Sequence, residues 1–264
     1  MERRRILQLL AAGTTSLWAK QHLPASTLLE AAASARGTGE AGILTGRTGR
    51  IAPAAQENAQ PELLLPLFPL GLVLFPRRDL PLHIFEERYK EMIQDCLENH
   101  WEFGILLVQE QSVATIGCTA SISGVFRRYP DGRMNILVQG QRRFEISELN
   151  EDKSYLRGKP QFFEDDEAEP AAGAIQQQAI QLYGRLMALV EPDDRSRKEP
   201  APAFSGPQLS FQIAAKLPPD LAWKQSLLEL RSERERLVRV RRYLQQLIDH
   251  LEHAPEQRTP TGTA

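Results

Sequence analysis

Two histidines near the C-terminus have a spacing that suits metal coordination. His250 and His253 lie three residues apart, so in a helix they occupy neighbouring positions on one face. A zinc site takes three or four ligands, and no cysteine or carboxylate cluster completes this pair. We therefore predict that the pair lies on a solvated helix end, and that the protein holds no metal and no other cofactor.

Charged side chains at two further places have types that could act on a ligand. Glu86 and Glu87 could serve as general acid and base, and a basic run near the C-terminus could contact RNA. Carboxylates also suit the first turn of a helix, where the helix dipole favours negative charge. The basic run has Glu229, Glu233 and Glu235 around it and no interleaved aromatic residues for base stacking. We interpret both sets as solvated helix positions; the run consists of Arg234, Arg236, Arg239, Arg241 and Arg242.

The composition excludes several classes of function. The chain has 264 residues, a formal net charge of -2 and a pI of about 6.3, so no overall positive charge favours nucleic acid. It lacks the Gly-x-x-x-x-Gly-Lys-Ser/Thr loop that holds ATP phosphates. Cys96 and Cys118 lie in apolar patterns, so we expect buried, reduced thiols. No stretch approaches the ~20 apolar residues of a membrane span. These features predict a protein without enzymatic activity.

A proline-rich apolar segment at residues 63–89 is the strongest sign of a binding surface. Its prolines at 66, 69, 76 and 81 exclude a continuous helix. We expect a short buried strand from Leu70 to Phe75, followed by extended backbone at a sheet edge. Apolar side chains exposed there would let an extended segment of another protein dock. The predicted peptide-binding residues are Leu80, Leu82, Phe85 and Tyr89.

The sequence pattern of the elements that must position this surface changes near residue 165, from strand-like to helical. Residues 61–165 contain short apolar or alternating segments separated by turn signals, with one amphipathic helix at 86–99. Pro130-Asp131-Gly132 predicts a hairpin turn. Residues 171–252 instead carry apolar stripes of helical period, with Asp220 and the Ser232/Glu235 pair as helix caps. The predicted fold is α+β: a β-rich twisted barrel at 61–165 followed by a helical bundle at 171–252, with a disordered tail at 253–264.

The first 60 residues differ from the rest in composition. They are rich in Ala, Gly and Thr, and we expect most of them to be disordered and dispensable for folding. Arg3-Arg4-Arg5 before a modest apolar run resembles a twin-arginine export signal, with Ala33-Ser34-Ala35 as a cleavage site. A disordered extension and a start codon placed too far upstream are the alternatives. We predict a cytoplasmic protein, with export as the alternative.

Several motifs in order resemble the substrate-recognition domain at the N-terminus of Lon proteases. In the β-rich half they are Pro66-Leu67-Phe68-Pro69-Leu70, Leu74-Phe75-Pro76, Phe85-Glu86-Glu87-Arg88-Tyr89 and Val138-Gln139-Gly140-Gln141-Arg142-Arg143-Phe144; in the helical half they include Lys224-Gln225-Ser226-Leu227-Leu228-Glu229. The resemblance covers 62 to about 252. It implies a PUA-like pseudo-barrel lobe and a C-terminal helical lobe.

The same resemblance implies a function in binding proteins. Because the ATPase and serine–lysine peptidase motifs are absent, the chain resembles a stand-alone recognition domain, and proteolysis is not carried over. The expected partners are unfolded or exposed apolar protein segments, together with a protease or chaperone that such an adaptor would serve. Nucleic acid is not an expected partner, although a PUA-like RNA-binding protein is the alternative reading.

Overall fold

The structure is a computed structural model and describes residues 64–109, 112–166, 173–190, 204, 206–218 and 220–253. Strands dominate the first part and helices the second. The strands are β1 (Leu65–Leu70), β2 (Asp79–Ile84), β3 (Phe103–Gln109), β4 (Ser112–Arg128), β5 (Met134–Asn150) and β6 (Arg157–Phe163). The helices are α1 (Glu87–Asn99), which lies between β2 and β3, then α2 (Gly173–Val190), α3 (Leu209–Lys216), α4 (Leu221–Glu229) and α5 (Glu233–His253).

The six strands form one sheet that closes on itself. Their order is β2-β5-β4-β3-β1-β6, and a further pairing of β5 with β6 closes a ring. Strand β5 is 17 residues long, and its first part pairs with β2 while its second part pairs with β6. Strand β2 therefore lies outside the ring, as the edge strand of the sheet. This arrangement, followed by helices, confirms the predicted α+β fold.

The first strand lies earlier in the chain than predicted. The expected strand from Leu70 to Phe75 is wrong: β1 ends at Leu70, and Phe75 lies in a loop with 2% of its surface exposed. Pro66 is paired only with β6 and Pro69 only with β3, so each proline has one strand neighbour and one open side. Proline lacks an amide donor and is tolerated on such one-sided positions, which is why two prolines fit inside β1.

Local signals for turns and helix ends are confirmed. Gly132 has a φ of 82°, and its amide donates to the Tyr129 carbonyl over 3.0 Å, so the Pro130-Asp131-Gly132 turn joins β4 to β5. Asp220 caps α4 by accepting from the Trp223 amide over 3.0 Å. The Ser232 hydroxyl oxygen accepts from the Glu235 amide over 3.3 Å, which is one of the two hydrogen bonds of a capping box.

The barrel and the helices share one apolar core. It includes residues of β1 to β5 and of all five helices, and a ring contact illustrates it: Phe75 stacks on Phe211 of α3 with ring centroids 4.9 Å apart. A smaller cluster of Leu65, Leu67, Leu106 and Phe144 fills the other part of the barrel. None of the described helices is long and apolar enough to cross a membrane. The predictions for residues 1–60, a disordered extension or an export signal, lie outside the described residues, as does the tail after His253.

A buried salt-bridge network also joins the two parts, and it corrects one prediction. Arg236, expected on a solvated face, is fully buried. Its guanidinium donates to Asp165 over 2.6 Å and to Glu233 over 2.8 Å. Arg143 of β5, 2% exposed, also binds Asp165. We call Arg143, Asp165, Glu233 and Arg236 the interlobe network. The glutamates near Arg236 in sequence suggested a solvated position, because its partner Asp165 lies 71 positions away.

Candidate functional site

The predicted peptide-binding residues lie together around β2 and α1, but they are not equally accessible. Leu82 and Tyr89 are each 5% exposed and belong to the core, whereas Leu80 and Phe85 are partly exposed. The expectation that Leu82 is an exposed side chain is therefore wrong. Alternation along β2 explains this, because Leu82 and Ile84 point inward on the same face.

The space at this surface is small. A cavity of about 20 Å³ lies between β1, β2 and α1, lined by Phe68, Leu70, Leu82, Ile84, Phe85 and Tyr89 among others. A cavity of that size holds about one water molecule. A protein segment would have to bind on the outer side, along the edge strand β2 and the exposed parts of Leu80 and Phe85. Peptide binding by these residues stays a prediction.

The other candidate residues make local contacts. His253 contacts the Asp249 carbonyl through Nδ1 over 2.7 Å, and no group of three potential metal ligands occurs among the described residues. Glu86 forms a salt bridge with Arg88 over 2.8 Å, and Glu87 forms one with Lys90 over 2.7 Å. These carboxylates flank the start of α1, where negative charge is favoured.

The two cysteines are buried free thiols, as predicted. Burial raises the pKa of Cys96 to about 12, and it also raises the pKa of Cys118. A thiolate is the reactive form of cysteine, so at neutral pH neither residue is an activated nucleophile.

A larger opening, which sequence analysis did not detect, lies between the sheet and helix α4. This interlobe groove has a volume of about 290 Å³. It is lined by Leu107, Gln109, Ser112, Val113, Ala114, Ala222, Gln225, Ser226 and Glu229. We call these residues the interlobe groove. Those from 107 to 109 lie at the end of β3, those from 112 to 114 at the start of β4, and those from 222 to 229 on α4.

A local irregularity of the sheet and several small side chains produce the groove. Leu106 pairs with Gly117, but Val108 pairs with Val113, so Leu107 on β3 faces an interval of three residues on β4. The longer β4 segment must bend away from β3 there. Ala114 and Ala222 face this region with side chains too short to fill it. The groove therefore results from a strand irregularity and a helix that meet more than 100 positions apart in sequence.

One side chain ties α4 to the sheet at the groove and leaves an acceptor without a partner. Gln225 is 8% exposed, and its Nε2 donates to the Ile116 carbonyl and to the Glu229 carboxylate, each over 3.0 Å. Both partners are acceptors, so the orientation of the amide is fixed. The Gln225 Oε1 atom is buried and has no hydrogen-bond partner among the described residues.

Comparisons with known proteins agree with this architecture. The family model described as the ATP-dependent protease La (LON) substrate-binding domain matches residues 64–246. Lon protease 2 of Herpetosiphon aurantiacus is 30% identical over 214 residues, and Lon protease of Escherichia coli is 28% identical over 207 residues; these cover 74% and 71% of this chain. The chain spans about a quarter of the length of these relatives, 25% in each case.

Solved structures show the same likeness. A Lon N-terminal domain protein from Xanthomonas campestris superposes with a TM-score of 0.51 at 26% identity, covering 67% of this chain and 96% of that one. The N-terminal domain of a Mycobacterium avium complex Lon protease, at 18% identity, shares the fold with a TM-score of 0.50 and covers 73% of this chain and 100% of that one. The chain belongs to the family of the Lon protease substrate-binding domain.

Proposed function

We propose that this chain binds exposed segments of other proteins, as a recognition module without catalytic activity of its own. The observation that carries the proposal is the interlobe groove, an open volume of about 290 Å³ with a partly apolar lining. The family description, a substrate-binding domain, supports the same class of ligand. Ligand sites in proteins usually combine an apolar surface with a few polar groups in this way.

Binding at such a surface is expected to be weak and broad. Leu107, Val113 and the two alanines of the groove offer mostly apolar contact, which is not directional. Many sequences can therefore satisfy it, as a module that meets varied unfolded proteins requires. Because the relatives are named as Lon proteases, we further propose that the chain acts as an adaptor or recognition factor in protein quality control.

A pair of matched variants tests the groove. Ala222→Trp fills the groove from α4, whereas Ala215→Trp adds the same side chain to an exposed position of α3 that does not line it. With fluorescently labelled, reduced and carboxymethylated lactalbumin as the probe, we expect Ala222→Trp to weaken binding at least about tenfold. Ala215→Trp should bind as wild type does. Equal binding by both variants would reject the groove, and no binding by wild type would reject the function.

The edge strand β2 is the alternative surface for the same function. A Leu80→Asp, Phe85→Asp double variant places charge on its partly exposed side chains and leaves the buried Leu82 and Tyr89 intact. Loss of lactalbumin binding in this variant, with retention in Ala222→Trp, would move the site from the groove to β2. Circular dichroism of each variant establishes that it is folded.

The proposed absence of catalysis has its own test. The family match concerns the substrate-binding domain, and the two described thiols are not activated. We expect that the purified chain neither hydrolyses ATP nor cleaves unfolded casein, with or without ATP. Release of phosphate, or of casein fragments, above a buffer control would contradict this expectation.

An RNA-binding function has one observation in its favour. Phe126 is 69% exposed in the bulged stretch of β4 between Val125 and Arg127, next to Arg127 and Arg128. An exposed ring beside cations can stack on a base. A single-stranded RNA of 20 nucleotides is the appropriate probe, because binding through phosphates falls steeply as salt rises. RNA binding with that salt dependence, without lactalbumin binding, would favour this alternative.

A further inference from the structure

We infer that Lys224, at the junction of α3, α4 and α5, is a modification site whose side-chain amine takes an acyl group from activated donors such as acyl phosphates and thioesters. This inference is independent of the interlobe groove and of the ligand proposed for it. It depends on how the amine is held, on the charges around it and on how other described lysines differ from it.

The amine of Lys224 is held by a neutral acceptor. Lys224 is partly exposed in the first half of α4, and its Nζ donates to the carbonyl of Leu217, the residue that ends α3, over 3.0 Å. The lysines that form salt bridges between described residues are Lys90 and Lys153, not Lys224. An ammonium that is partly buried without a carboxylate partner is unfavourable. This setting therefore favours the neutral amine, which is the nucleophilic form.

The groups that face Lys224 leave one charge near it. Among the described residues, the charge that acts on the amine is that of Asp220, whose carboxylate also accepts from the Trp223 amide over 3.0 Å. Trp223 stacks on Tyr243 of α5 with ring centroids 4.1 Å apart, and burial raises the pKa of Tyr243 to about 12, so this phenol is neutral. Burial lowers the pKa of Lys224 to about 8, and the attraction of Asp220 only partly opposes this shift.

Three other described lysines differ in this respect. Lys90 lies 2.7 Å from a carboxylate oxygen of Glu87, and Lys153 lies 2.6 Å from one of Asp95. An adjacent carboxylate stabilises the ammonium, which has no lone pair for attack on an acyl group. Lys216 is exposed in the last turn of α3, where water solvates the charged form. Lys216 therefore serves as an exposed reference close to Lys224 in the sequence.

The reaction is an acyl transfer that requires no oxidant or reductant. The lone pair of the neutral Nζ attacks the carbonyl carbon of the donor, and the bond from that carbon to the phosphate oxygen or thioester sulfur breaks. Phosphate or thiol leaves, the nitrogen loses one proton to solvent, and an uncharged amide remains. At pH 8 about half of the amines with a pKa of about 8 are neutral, compared with about 0.4% of amines with the ordinary lysine pKa of about 10.4.

The test treats the purified chain with acetyl phosphate and follows each lysine by quantitative tandem mass spectrometry. At pH 8 we expect Lys224 to be acetylated at least about fivefold faster than Lys216, because the gain in neutral amine exceeds the loss of access from partial burial. The rate at Lys224 should level off above about pH 9. A rate at Lys216 equal to or above that at Lys224 would overturn the inference, as would a rate at Lys224 that keeps rising beyond pH 10.

Asp220→Asn separates a reactive amine from one that is merely accessible. Asparagine also caps helices, so α4 keeps a cap, while the charge that favours the ammonium of Lys224 is removed. We expect acetylation of Lys224 at pH 7 to become about twofold faster and that of Lys216 to stay unchanged. Circular dichroism establishes that the variant is folded. An unchanged or slower rate at Lys224 in the folded variant would contradict the inference.

Discussion

Helix α4 borders two polar regions that differ in how completely they are paired. At its C-terminal end, Arg143 donates to the Leu228 carbonyl over 3.1 Å and also binds the Leu230 carbonyl, while Asp165 neutralises Arg143 and Arg236. Along its groove side, Gln225 holds the sheet through one hydrogen bond and keeps an unpaired acceptor. We call the first region closed, because its charges are paired, and the second region open, because it keeps an unpaired acceptor. Both regions border helix α4.

The two regions therefore differ in role: paired polar groups stabilise the fold, whereas unpaired ones remain available to bind a ligand. Two arginines with almost no exposed surface are tolerated only because carboxylates and carbonyls satisfy them. Such a network fixes how the helices sit on the barrel, and it has no free capacity for a ligand. The groove has free capacity, and its polar groups are few. We therefore expect substitutions in the interlobe network to change stability, and those in the groove to change binding.

The largest effect should come from Asp165→Asn. The substitution removes the carboxylate that neutralises both arginines, which leaves their charges buried and incompletely paired. We expect the free energy of unfolding to fall by about 3 kcal/mol, measured by urea denaturation. Glu102→Gln breaks a more exposed pair with Arg142 and should change stability little. Similar losses in both variants would show that the buried network stabilises the fold no more than an exposed ion pair does.

Acid should weaken the same network. Burial alone would raise the pKa of Asp165, but hydrogen bonds and charge from Arg236, with the charge of Arg143, hold that pKa below its ordinary value. A carboxyl with a lowered pKa stabilises the fold above the unfolded pKa of about 3.9 and loses this contribution as the pH falls through the folded pKa.

The stability difference between wild type and Asp165→Asn should therefore be constant from about pH 7 to pH 5 and should shrink below about pH 4. Urea denaturation midpoints of both proteins across this pH range measure it. A difference that grows on acidification would show that the carboxylate does not stabilise the folded state.

A smaller effect is expected for Gln225→Met, which tests the open region. Methionine has a similar length, removes the unpaired acceptor and also removes the donor to the Ile116 carbonyl. These changes oppose one another, so the free energy of unfolding should change by about 1 kcal/mol or less. Because Gln225 lines the groove, lactalbumin binding, measured by fluorescence anisotropy, should weaken nonetheless. A large fall in the free energy of unfolding would show that Gln225 stabilises the fold, as the residues of the interlobe network do.

The smallest effect on stability is expected for Glu229→Ala. The side chain is exposed, and among the described residues its hydrogen-bond partner is Gln225. The free energy of unfolding, measured by thermal denaturation, should change by no more than about 0.5 kcal/mol, which is typical of a substitution at an exposed position. Combined with weaker binding of lactalbumin, this result would sharpen the contrast with Asp165→Asn.

Local features of the fold were predictable from the sequence. Proline, glycine and capping residues act on their immediate neighbours, which is why the turn at Gly132 and the caps at Asp220 and Ser232 were assigned correctly. The position of β1 was not predicted correctly. A proline is acceptable in a strand only where an adjacent strand is missing on one side, and the sequence does not reveal which strands are adjacent.

Features that depend on distant partners were not predictable. Arg236 has the pattern of a surface residue until Asp165, 71 positions away, is placed beside it. The interlobe groove depends on a strand irregularity near Ala114 and on α4, which contact each other through Ile116 and Gln225, 109 positions apart. Family resemblance predicted the fold correctly, but it gave no information on the location of this opening.

The position of β1 between β3 and β6 also bears on how the barrel forms during synthesis. β1 precedes every other described strand, yet its Leu65 pairs with Gly158 of β6, so the ring closes only after almost the whole barrel has left the ribosome. Long-range pairing of this kind is slow to form. Until β6 is made, Leu65 and Pro66 lack their strand partner, whereas Leu67 to Leu70 already have β3 as a neighbour. We therefore expect the start of β1 to be the last part of this apolar segment to be covered as the barrel forms.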